Sequence, residues 1–199
     1  MATRGLILAG VGYVFATVYI VQAEAPKARS TPERSSAPGE VWFARVKPRC
    51  NPVEVAVALA DDPPPATPDG AGYAASCWAL AGKIPQARMT IEALRFDHRA
   101  YAASVVFYIA HPVADRGDDV SAGPMMELVL EFKPDDFQAL YHAGMSEYAL
   151  GKPDEARIKL TQFRRLYTAT DFFGTNADAT LDRIAKNLPP ATASPGAHD

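Results

Sequence analysis

Four histidines, two cysteines and one dense acidic turn are the residues of this chain best suited to chemistry. His98, His111, His142 and His198 are candidate general bases or metal ligands, because imidazole is the side chain that titrates nearest neutrality. They form no HExxH pattern, and no two of them are spaced as paired ligands on one helical turn. No nucleophile stands beside them in a recognisable arrangement. His111 and His142 are therefore read as hydrogen-bonded structural histidines carried on helices. The stretch Asp115-Arg116-Gly117-Asp118-Asp119 lacks the ligand alternation and terminal Glu of an EF-hand loop and is read as a solvated turn. There is no glycine-rich phosphate loop and no GxSxG elbow. The expectation is a chain with no catalytic residue, no metal site and no cofactor; the alternative is an enzyme or enzyme helper whose site is assembled from distant positions.

The cysteines, Cys50 and Cys77, permit a disulfide in an oxidising compartment, the alternative being two buried thiols. A bond between them closes a loop of about 28 residues and stabilises the fold by about 2–4 kcal/mol. It would also tie a lead-in strand at Trp42-Phe43 to the first long helix. Zinc is disfavoured, since the pair lacks a nearby pair of histidines.

Lysines and arginines number 20 against 23 acids, and neither sign forms a run of five, which argues against nucleic-acid binding. Apolar residues make up 48% of the chain, enough for a buried core. The 17 prolines cluster in Ser30 to Pro38, Pro63 to Pro68 and Pro189 to Pro195, which read as linker, loop and tail.

Gly5 to Ala23 carries no charge and follows Arg4, so the positive flank stays cytoplasmic and the remainder is exported. As a helix the segment spans about 28 Å, close to a bilayer's hydrocarbon core. A transmembrane anchor is expected, with a cleaved signal peptide as the alternative because Val21-Gln22-Ala23 and Ala23-Glu24-Ala25 offer the small residues a signal peptidase requires. Residues 24–39 read as a flexible linker, 40–188 as the folded domain and 189–199 as a disordered tail.

The folded part contains an internal repeat. Gly82, Gly117 and Gly151 stand 35 and 34 residues apart, each preceded seven positions earlier by a small residue (Ala75, Ala110, Gly144) and followed five later by alanine (Ala87, Ala122, Ala156). Past those alanines lie Ile91 and Leu94, Met126 and Val129, Leu160 and Phe163, each pair on one helical face. Every unit thus reads as two amphipathic helices around a glycine turn. Pro112 is expected to kink or end a helix, and Gly123-Pro124 to hold the next helix to a start near Ser121. Asn51 to Ala60 reads as a capping helix with Asn51 at its N-cap, and Asp171 to Leu188 as a last amphipathic helix that covers the open end.

This register resembles the tetratricopeptide repeat (TPR), most closely in Ala139 to Leu166, with Glu147 standing where an aromatic is usual. The resemblance implies an all-α fold: a short TPR-like right-handed α-solenoid of about three helical hairpins plus capping helices, behind the N-terminal transmembrane or signal helix. It also implies a concave groove presenting Phe107, His111, Gln138, Tyr141, Met145 and Tyr148, with Ser104, Ala114, Asp115 and Ala149 beside them. Such a groove lacks the lysines and asparagines of a carboxylate clamp and suits an apolar helix or extended segment of a protein partner. Alternatively the chain fills the groove itself with Trp42, Phe43 or the segment Thr170 to Phe173. The function expected is a non-catalytic interaction scaffold on the periplasmic side of the membrane, an accessory or assembly subunit of a membrane complex; a soluble periplasmic or secreted binding protein is the alternative.

Overall fold

The structure is a computed structural model that describes residues 37–190. The expected anchor or signal segment, most of the linker and most of the tail lie outside the described residues. Among the described residues all regular structure is helical, and no helix is long and apolar enough to cross a membrane.

Helix α1 (Pro38–Val46) starts with Pro38 in its first turn, where no backbone donor is needed. Its Trp42, Phe43 and Val46 are buried, with Phe43 stacked on Tyr73 at 5.1 Å and the Trp42 indole N–H donating to the Asp62 carbonyl at 2.8 Å. The lead-in strand expected at Trp42-Phe43 is therefore a helix, and it begins before Glu40. The spacing 42, 43, 46 places all three side chains on one helical face, whereas in a strand adjacent Trp and Phe would point to opposite sides.

After a 3-10 turn at Lys47–Arg49 comes α2 (Val55–Asp61). The Asn51 side-chain oxygen accepts from the N–H groups of Val53 and Glu54 at 3.1 and 3.0 Å. It caps a turn at residues 51–54, and regular helix begins only at Val55, later than expected. Cys50 is disulfide-bonded to Cys77, with the Cα atoms 4.8 Å apart.

Three helix pairs follow: α3 (Pro68–Leu80) with α4 (Ile84–Glu92), α5 (Phe96–Asp115) with α6 (Asp119–Phe132), and α7 (Phe137–Ala149) with α8 (Pro153–Leu166). Between the members of each pair the chain turns at Gly82, Gly117 or Gly151, whose φ values of 69°, 74° and 76° lie in the left-handed region that favours glycine. Thr67, Asp118 and Asp136 open α3, α6 and α7 by accepting from the N–H of Gly70, Ser121 and Ala139. Ala75, Ala87, Ala110, Ala122 and Ala156 are all 0% exposed. They sit where helices cross, and a Cβ added to Gly144 would meet Leu160 Cγ at 2.8 Å.

Both prolines of the second helix pair lie inside their helices. Helix α5 runs through Pro112 to Asp115, so the ring does not end it, and α6 begins at Asp119, near the expected start at Ser121, and runs through Pro124. Each ring removes the donor for the carbonyl four residues earlier, at Tyr108 and Val120. Both of those residues are exposed, as are the prolines, so water can take the missing donor's place.

Stacking differs along the chain. Helix α5 lies along α3, whereas α7 packs on its own partner α8 and on α6 and meets α5 only locally. Helix α9 (Phe172–Ala185), capped by Asp171, folds back over α8 and α7.

Candidate functional site

The place where α5 meets α7 gathers the aromatic and imidazole side chains. Phe107 stacks on His111 at 5.2 Å, His111 meets His142 edge-on at 4.8 Å, and His142 meets Tyr141 at 5.2 Å. Tyr141 in turn touches Phe163 of α8 and Phe173 of α9, both at 5.3 Å. A cavity of about 200 Å³ opens beside this row, lined by His111, Gln138, Tyr141 and Phe173 among others. Its lining is aromatic apart from the two imidazoles and the Gln138 amide.

The six groove residues separate into two groups. His111, Gln138 and Tyr141 line the cavity, and Phe107 stacks behind His111. Met145 and Tyr148 lie beneath the C-terminal segment: the Thr180 hydroxyl donates to the Met145 sulfur at 3.6 Å, and the Tyr148 hydroxyl donates to the Leu188 carbonyl at 2.8 Å. Phe173 and Asn176 reach Tyr141 from the same segment. Trp42 and Phe43 instead pack with Tyr73 and the disulfide, in a separate cluster of the core.

Asp115 Oδ1 stands 3.7 Å from His111 Nε2 and 4.0 Å from His142 Nε2. These three groups come together within 4.8 Å, which inspection of histidine pairs alone does not reveal. The available signal was the His111–Asp115 spacing of one helical turn; His142 arrives from another helix. Burial, with His111 beside it, pushes the His142 pKa down to about 4, so its ring is neutral at pH 7 and keeps a free lone pair. Burial also raises the Tyr141 hydroxyl, which accepts a hydrogen bond from Asn176.

A second polar cluster lies between α6, α7 and α8. Lys159 Nζ is 2.7 Å from Glu127 and 3.1 Å from Glu147. Burial, reinforced by the neighbouring Glu127 carboxyl and opposed by Lys159, pushes Glu147 up to about 7. Glu147 is buried on α7, and Lys159 supplies the opposite charge beside it.

Compared with protein-family models, curated proteins and solved structures, the chain matches none.

Proposed function

We propose that this chain is a non-catalytic interaction scaffold, a short right-handed solenoid of TPR-like hairpins, held by residues 5–23 at the periplasmic face of a membrane as an accessory or assembly subunit of a larger complex. The observation that carries the reading is the run of three helix pairs, each turned at a left-handed glycine and each closed over alanines with no exposed surface. Such units bury their apolar faces on one another and leave side chains along one edge for a partner. Here that edge is the aromatic cavity that α7, α8 and α9 line together with His111 of α5, where an apolar side chain of a partner segment fits beside the exposed Phe137. The Cys50–Cys77 disulfide supports an oxidising compartment.

The test is a photo-crosslinking residue placed at Gln138, at the cavity, and separately at Ile158, which is exposed on α8. A discrete cross-linked partner from Gln138 and none from Ile158 is expected. Identical patterns from both positions, or none from either, would contradict docking at the cavity.

A further inference from the structure

We propose that His111, Asp115 and His142 form a binding site for one divalent first-row transition ion, of the zinc, nickel or copper type, with an open coordination position facing the aromatic cavity. Two imidazoles and one carboxylate are the donor set such ions take, whereas magnesium and calcium prefer oxygen alone. The donors come from two different helices: His111 and Asp115 one turn apart on α5, His142 on α7. Their positions are therefore set by helix packing and not by a loop.

The distances distinguish this group from a surface ion pair. At 3.7 and 4.0 Å the carboxylate oxygen is too far from either imidazole nitrogen for a hydrogen bond, and all three donor atoms lie within 4.8 Å. Bonds of about 2.0–2.1 Å to a shared tetrahedral ion place donors about 3.4 Å apart, so closing on an ion takes side-chain shifts of a few tenths of an ångström to about 1 Å. An ordinary solvated His–Asp pair on one helix face needs no third donor. Here the third donor, His142, is only 8% exposed and aimed at the same point. Three protein donors leave at least one position for water or another donor, as in open zinc sites.

Zinc titration by calorimetry tests the site, with the full chain purified free of metal and any affinity tag removed. One equivalent of Zn2+ should bind saturably, and Co2+ in its place should give visible d–d absorption showing nitrogen and oxygen ligation. Because His111 and Asp115 are partly or fully exposed, H111A and D115N should keep the wild-type melting curve while weakening Zn2+ binding about tenfold or more. The double variant H98A/H198A should bind as the wild type does. Absence of saturable binding, or binding that survives in folded H111A and D115N and is lost in H98A/H198A, would overturn the assignment. Neither result bears on docking at the cavity, which the cross-linking experiment reads separately.

Discussion

The side-chain amide of Asn176 donates to the hydroxyl of Tyr141 at 2.8 Å, joining α9 to the inner face of α7 across 35 residues of sequence. Tyr141 is 6% exposed, so its hydroxyl has little access to replacement water. N176A leaves that hydroxyl unpaired and should cost about 1–3 kcal/mol by chemical denaturation. Adding Y141F to N176A should recover part of the loss, since both polar partners are then gone. A double variant no more stable than N176A would show that the bond does not hold α9 in place.

The left-handed turn at Gly151 has open space around the position of a Cβ, so substitution there tests backbone conformation apart from packing. G151A should destabilise by about 1–2 kcal/mol, and G151N by less, because asparagine tolerates that region. G144A reaches a similar loss by a different cause, the collision with Leu160. Equal melting temperatures for G151A and wild type would count against the turn.

Reduction should separate α1 and α2 from their covalent hold on α3. The Cys50–Cys77 bond spans a sequence separation of 27, and breaking it should lower stability by about 2–4 kcal/mol. C50A/C77A should show the same loss with no further response to reductant. A wild-type protein indifferent to reductant would contradict the disulfide.

Glu147 gives the fold a pH dependence whose sign follows from its raised pKa. Between the ordinary value of 4.5 and about 7, the folded chain keeps a proton that the unfolded chain releases. The associated stability is complete below about pH 4.5 and is lost as pH rises through about 7. E147Q keeps a neutral side chain throughout, so its melting temperature should fall less than that of wild type between about pH 5 and about pH 8. Parallel profiles for the two proteins would show that Glu147 does not hold the proton.

The hairpins were legible because their signal is local: a glycine at each turn, alanines at each crossing, and apolar residues at helical spacing after them. The last helix was legible in outline, within Asp171 to Leu188, and its capping by Asp171 is a finding of the structure. The lead-in was misread because adjacent Trp42 and Phe43 suit a strand as readily as one face of a short helix, until Val46 is counted with them. Whether Pro112 ends its helix was not legible, because the cost of a lost donor depends on whether the carbonyl four residues back reaches water. That is a property of the packed structure. The Lys159 that accompanies Glu147, and the His142 that joins His111 and Asp115, come from neighbouring helices and have no signature at the positions they serve.

The central claim, an anchored scaffold within a membrane complex, is tested most directly by extracting the protein from its native membrane in mild detergent and measuring its intact mass together with that of co-purifying chains. The account predicts a chain that retains residues 1–23 and carries partners in fixed stoichiometry. A chain beginning at Glu24 or Pro26, released without detergent and free of partners, would contradict it.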